Sequence, residues 1–277
     1  MYIRKCALFV VSILLAATMQ AQQLNVGTYN LRFDNPRDSG NLWVNRAPIV
    51  AGLIKFHAFD VFGTQEGLLN QLEDIKTALP EYAYYGIGRD DGKNKGEHSA
   101  IFYKKAKFTV VKSGDFWLST TPEQPGPGWD AHINRICSWL LLQDKQSKKQ
   151  FYFFNVHYDH QGVEARRQSS QLILQKIKAI AGKVPAIFTG DLNGGHQSQW
   201  YLALKQSGFL KDTYDQVTPY ENNGTFNGFG GTVTTSEVID HIFITAAFKV
   251  QQWGILSDSY RGKYPSDHFP VQALISW

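Results

Sequence analysis

Val184-Pro185-Ala186-Ile187-Phe188-Thr189 runs directly into Gly190-Asp191-Leu192-Asn193. The apolar run reads as a buried strand, and the tetrapeptide as the point where that strand ends. Alternation puts Asp191 and Asn193 on one side of the chain, one anion and one amide aimed at the same spot. Such a pair can align a water and hold a developing oxyanion. Taken alone, Asp-x-Asn is more often a strand-end turn, because both residue types favour turns.

The rest of the chain decides between these readings. Leu24 to Leu31 alternates and delivers Asn30, with Arg32 and Asp34 close behind. Phe59 to Gln65 ends at Glu66, just before an amphipathic stretch from Leu68 to Leu79. Phe151 to Val156 ends at His157, followed by Asp159 and His160. Val238-Ile239 runs into Asp240-His241, and Tyr264-Pro265-Ser266 into Asp267-His268. Each time an apolar strand pattern stops at a metal-capable or acid–base residue. Loops at strand ends are where layered α/β folds assemble sites. The spacing is too wide for a local zinc motif such as His-Glu-x-x-His, so the fold itself must bring these residues together.

Helical periodicity is clearest in Trp43 to Phe56, Leu68 to Leu79, Val163 to Ala181 and Ser198 to Gln206. Further strand patterns cover Tyr82 to Ile87, Ser99 to Tyr103, Phe108 to Ser113, Phe116 to Leu118, Ile133 to Gln143, Phe248 to Gly254 and Phe269 to Ile275. Many strands with helices interspersed favour two packed sheets covered by helices. Thr120 to Asp130 and Tyr220 to Glu237 are Gly-, Pro- or Asn-rich loops, whose Trp129, Phe226 and Phe229 could line a substrate groove or simply pin the loops.

The first residues have a basic start (Arg4, Lys5), an apolar core from Ala7 to Ala17 and small residues before Gln22. That reads as a secretory signal peptide over residues 1–21, with Ala21 the preferred cleavage point and an uncleaved anchor the alternative. Residues 22–277 then form one domain, secreted or periplasmic, with nothing demanding more than a monomer. Cleavage removes two cations and no acids, so the formal net charge falls from +4 to +2. Charge alone therefore selects no polyanionic partner. Cys137 is the one cysteine left, which excludes an intrachain disulfide and suits a core filler.

Thr28-Tyr29-Asn30-Leu31-Arg32, Gln65-Glu66, Asn155-Val156-His157, Gly190-Asp191-Leu192-Asn193, Ile239-Asp240-His241 and Ser266-Asp267-His268 resemble, in order, the signatures of the endonuclease/exonuclease/phosphatase superfamily. Gly86 to Tyr103 resembles a secreted bacterial branch of it. The resemblance implies a four-layer α/β sandwich, two packed β-sheets flanked by helices, and a divalent-metal-dependent hydrolase of phosphoester bonds. Glu66 would be the main ligand to Mg²⁺ or Mn²⁺, with Asn30 and Asp267 assisting; as a bare sequence feature Glu66 is also a helix N-terminal carboxylate. Asp191 would orient or deprotonate the attacking water, Asn193 would hold a phosphate oxygen, and His157 and His268 would contact the phosphate. The resemblance pairs Glu97 with His157 and Asp240 with His268, each carboxylate favouring an imidazolium. Arg135 and Arg32 match phosphate-binding arginines, surface ion pairs being the other reading. Asp159, His160, His196 and His241 stay outside the catalytic set.

Departures from relatives bear on substrate. Gly67-Leu68-Leu69 and Lys95-Gly96-Glu97 lack the arginine and tyrosine that pancreatic-type deoxyribonucleases use on duplex DNA. Gly194-Gly195 and Ser266-Asp267-His268 differ from inositol polyphosphate phosphatases. The expectation is a phosphodiesterase or nuclease acting by in-line water attack, with single-stranded or short nucleic acid as partner. A sphingomyelinase-like phospholipid phosphodiesterase, a phosphomonoesterase and an inactive binding protein are the alternatives.

Overall fold

The computed structural model describes residues 22–220, 223–230 and 236–277; the expected signal peptide lies outside them, as does part of the second loop. Twelve strands alternate with four α-helices among the described residues. The first half contains β1 (Gln23–Asn30), α1 (Trp43–His57), β2 (Val61–Gln65), α2 (Leu69–Ala78), β3 (Tyr82–Tyr85), β4 (Ile101–Lys104) and β5 (Phe108–Trp117). The second contains β6 (Ile136–Asp144), β7 (Gln150–His157), α3 (Val163–Ala181), β8 (Ala186–Asp191), α4 (Gln199–Lys205), β9 (Lys211–Asp212), β10 (Asp240–Ile244), β11 (Lys249–Ile255) and β12 (Val271–Ser276).

They form two six-stranded mixed sheets, ordered β11-β12-β1-β2-β4-β3 and β5-β6-β7-β8-β10-β9. Each sheet is built around one parallel pair, β1 with β2 and β7 with β8, flanked by antiparallel neighbours. Parallel pairing requires a crossover, and α1 and α3 supply it. Both pairs stop level, Asn30 opposite Gln65 and His157 opposite Asp191.

Side-chain alternation sorts each strand between two layers. Outward residues such as Tyr29, Phe62 and Phe102 meet α1 and α2 through Val50, Leu53, Ile54, Leu72 and Ile75. On the other sheet, Phe154, Phe188 and Phe243 meet α3 and α4 through Ile173, Ile177, Tyr201 and Leu204. Inward residues Leu24, Val26, Val61, Phe151, Phe153, Ile187, Ile242 and Ile275 meet between the sheets. Cys137 is fully buried in the α3 layer, as its apolar setting requires.

Toward the far end the inward rows turn polar while staying buried. Thr28, Gln65, Asn155 and Thr189 have no exposure at all. The Asn155 carboxamide uses its full capacity there: Nδ2 donates to the carbonyls of Thr64 (2.8 Å) and Ala100 (3.0 Å). Its Oδ1 accepts from Gln65 Nε2 (2.7 Å) and Thr189 Oγ1 (3.0 Å), and Gln65 Nε2 also donates to Thr28 Oγ1 (3.0 Å). Gly63 leaves room for this bridge, because a Cβ there would lie 2.2 Å from Asn155 Oδ1.

Three differences from the sequence patterns have clear causes. Phe108 to Ser113 and Phe116-Trp117 are one strand, β5, because the intervening Gly114 and Asp115 stay paired with Trp139 and Ser138, the Asp115 carboxylate accepting from Ser138 Oγ (2.6 Å). Asp240 and Asp267 do not end strands. Asp240 opens β10, and Asp267-His268 lies in the loop before β12; both strands are antiparallel to their neighbours, so their starts share the edge where β1 and β8 finish. The apolar residues before these acids pack into loops instead.

Replacing Asn155 with Leu should cost roughly 3 kcal/mol or more, since two carbonyls, Gln65 and Thr189 would lose buried partners together. Urea unfolding measures this, and a cost under about 1 kcal/mol would show the bridge to be dispensable.

Candidate active site

The level strand ends open into a cleft of about 480 Å³ whose walls include Arg32, Glu66, Glu97, Arg135, His157, Asp191, Asn193, Asp267 and His268. Asp240 stands just behind, joined to His268, and Asn30 beneath, donating to Glu66 Oε1 (3.1 Å) and Asp191 Oδ2 (3.0 Å). All eleven sequence-predicted site residues thus converge on one cleft or on its immediate support. Two longer-range placements also bear on it. Arg46, fully buried in α1, donates to the carbonyls of Leu31 (2.7 Å), Arg32 (3.0 Å) and Pro265 (2.9 Å), clamping the β1 exit to the loop bearing Asp267. Ser266 Oγ donates to the Asn30 carbonyl at 2.7 Å.

Backbone strain helps aim the side chains. Arg32, Glu66 and Asn193 have φ of 56°, 63° and 46°, the left-handed region that non-glycine residues occupy at a cost. Each follows a strand end within two residues. The strand itself stops at Asp191, so Asn193 reaches the cleft through a turn, its backbone N–H donating to Asp191 Oδ1 (2.8 Å). The turn reading and the site reading of Asp-x-Asn therefore describe the same geometry.

The two histidines differ in charge. Burial alone would lower His268, but the Asp240 carboxylate 2.8 Å from Nδ1, followed by Asp191 and Asp267, raises it to about 10. It is a cation at neutral pH. His157 is held well below the usual imidazole range by burial and then by the charges of Arg135 and Arg89. Its expected partnership with Glu97 is loose, Nδ1 to Oε2 being 3.9 Å and Nδ1 having no hydrogen-bond partner. The physical reason is Arg89, whose guanidinium takes both Glu97 oxygens at 2.6 and 2.7 Å. Sequence reasoning gave Arg89 no role although it stands two residues past the strand pattern ending at Ile87, because nothing in that pattern shows the glycine-flanked loop turning back to grip Glu97.

The carboxylates are pushed toward protonation. Burial first and the Asp240 charge next raise Asp191, which suits a proton acceptor. Burial raises Glu97 and Asp267 too, and the Glu66 charge adds to both. Mutual repulsion between Glu66 and Asp267, beside the Asn30 carboxamide, is relieved by a positive ion, and an oxygen donor set fits a hard divalent cation. Asp191, Asp240 and His268 also lie close enough to share a metal ion. There, however, the imidazolium already supplies the positive charge between the two carboxylates, so that trio reads as an acid–base array.

The arginines are unequal. Arg32 Nε and Nη2 bind both Asp38 oxygens (2.8 and 3.0 Å), and Nε lies 3.7 Å from Asp267. It combines the ion-pair reading with a place in the cleft wall. Arg135 is 3% exposed, and its Nε and Nη1 have no hydrogen-bond partner; Nη2 lies 3.1 Å from His160 Nδ1. Of the three loop aromatics only Phe226 lines the cleft, its ring 5.1 Å from that of His268. Trp129 borders a separate groove against α3, and Phe229 stacks on Arg46. His196 and His241 lie elsewhere, around Asp212.

Residues 27–268 match the sequence profile described as the endonuclease/exonuclease/phosphatase family. A Bacteroides thetaiotaomicron protein of that family shares 47% identity, with TM-score 0.90 over 93% of this chain and 99% of its own. A Bacteroides thetaiotaomicron mannosyl-6-phosphatase is also 47% identical, with TM-score 0.89 over 92% and 100% of the two chains. A protein of Acanthamoeba polyphaga mimivirus is 29% identical over 246 residues, 83% of this chain and 90% of its own.

Replacing Arg89 with Met should release Glu97 toward His157 and raise the pKa of that imidazole, since one lowering charge disappears and an opposing one turns to face it. An NMR pH titration of His157 reads the shift; an unchanged value would show that Arg89 does not set it.

Proposed function

Because the chain belongs to the endonuclease/exonuclease/phosphatase family and is a phosphoric ester hydrolase, we propose that it is a divalent-metal-dependent phosphatase that removes a terminal phosphate from a small polar alcohol such as a sugar. The observation that carries this reading is Arg135. A buried guanidinium whose Nη1 has no hydrogen-bond partner and whose Nε is held only by the ion pair to Asp159 at 3.6 Å, at the wall of a cleft of about 480 Å³, suits the recognition of a phosphate dianion. Likeness to a mannosyl-6-phosphatase supports a sugar as the alcohol.

In this proposal Glu66, Asn30 and Asp267 hold a Mg²⁺ or Mn²⁺ ion, which would neutralise charge developing on the phosphoryl oxygens. Asp191 orients a water in line with the scissile bond and accepts its proton as the new P–O bond forms and the bond to the alcohol oxygen breaks, the departing oxygen taking a proton from solvent. The His268 imidazolium, fixed by Asp240, and the Asn193 amide stabilise the phosphoryl oxygens. Neutral His157 accepts from Asn193 Nδ2 at 3.1 Å and holds that amide in place. Arg32, restrained by Asp38, closes the wall beside Asp267.

A second reading, cleavage of diesters in short or single-stranded nucleic acid, is favoured by Phe226, which is 45% exposed at the cleft and could stack a base. Phosphate release from mannose 6-phosphate should exceed cleavage of a chromogenic diester and of single-stranded DNA, and chelator should abolish it. Asp191→Asn should lower kcat by about 10² or more, while Glu66→Gln should raise the metal concentration needed. Diester cleavage without monoester turnover would replace the first reading by the second. Full activity in Asp191→Asn would remove that residue from the mechanism.

A further inference from the structure

On the opposite face of β10 from Asp240 lies a second cluster that the reaction does not use. Alternation sends His241 outward toward α4, where its ring packs on Tyr201 (4.8 Å) and Phe243 (5.9 Å). His241 Nε2 is 3.1 Å from the Gly194 carbonyl oxygen, a pure acceptor, so Nε2 carries a hydrogen. Its Nδ1 faces Asp212 Oδ2 at 3.3 Å, a contact that a proton or a metal cation at Nδ1 satisfies. Asp212 is 1% exposed, and its oxygens already accept from Tyr201 Oη and the Tyr214 N–H, both at 3.0 Å.

A third donor completes the arrangement. His196 Nε2 lies 4.0 Å from the same Oδ2 and is buried without a hydrogen-bond partner. The ring is held between Tyr201 (4.9 Å) and Tyr214 (4.4 Å). The three ligand atoms all lie within 4.8 Å of one another. Two imidazole nitrogens, one of them without a hydrogen-bond partner, and a carboxylate converging this way form a donor set whose chemistry is that of zinc rather than magnesium.

We propose that His196, Asp212 and His241 bind a divalent transition-metal ion of the zinc class, at a site distinct from the cleft, with water as a fourth ligand. Its place gives it a role. His196 follows Asn193 by three residues, and His241 adjoins Asp240. An ion there fastens the loop leaving Asp191-x-Asn193 to the strand that carries the partner of His268.

The test is titration of the chelator-treated, dialysed full chain with Co²⁺ in a large excess of Mg²⁺, followed by visible absorption. One equivalent should bind with the intense spectrum of four-coordinate Co²⁺, and Zn²⁺ should displace it. His196→Ala should weaken binding by about tenfold or more, whereas Glu66→Gln should leave the spectrum unchanged. An absent or weak six-coordinate spectrum in the native protein would overturn the proposal, whether or not the variant folds. Loss of the signal in Glu66→Gln with retention in His196→Ala would do the same, by assigning the ion to the cleft.

Discussion

Everything at the cleft rests on one buried carboxamide. Asn155 joins the two sheets at the level just below the strand ends, bonding to β2 and β8 and to the carbonyl of Ala100. Apolar packing between sheets is non-directional and tolerates sliding. A fully satisfied polar bridge does not, because shifting either sheet strands several buried groups at once. The residues one step further along the same inward rows, Asn30, His157 and Asp191, inherit that register. Gly63 completes the constraint by letting the sheets approach where the amide crosses.

Much of this was legible in the sequence. The apolar runs ending at Asn30, Glu66, His157 and Asp191 are parallel strands whose carboxyl ends meet, and a parallel strand announces its functional residue as the place where apolarity stops. Helix α3 was readable to the residue because its amphipathic stripe is long and uninterrupted. Asp240 and Asp267 were expected at the cleft, where they lie, on the wrong structural grounds. An antiparallel strand begins at the cleft, so its apolar pattern follows the acid instead of preceding it. The role of Arg89 and the Asp212 cluster depend on contacts between segments far apart in sequence, which local patterns do not encode. Nor did the sequence hint that both sheets share one plan, a parallel pair with antiparallel flanks; the repeat exists in hydrogen-bond topology and not in residue identity.

Two histidines of similar burial are held in different charge states by their neighbours, His268 toward the cation and His157 toward the neutral ring. His268 has the Asp240 carboxylate on Nδ1, whereas the carboxylate facing His157 Nδ1, Glu97, is 3.9 Å away and already engaged by an arginine. The difference divides labour within the cleft. One imidazole is held toward its charged form, while the other, held toward its neutral form, lies 3.1 Å from Asn193 Nδ2. A like charge on His157 would bring three cations, Arg89, Arg135 and the imidazolium, into mutual contact range in a poorly solvated place.

The pairing of Gln23 with Ser276 places the first and last described strand residues side by side at the far end of the sheet from Asn30. With the rise of an extended chain, that separates them from the cleft by about 23 Å. Any polypeptide joined at either position would leave the molecule from its closed pole. An enzyme tethered there presents its mouth outward, toward whatever diffuses past, and carrier domains or surface anchors could be exchanged at that pole without altering access to the cleft.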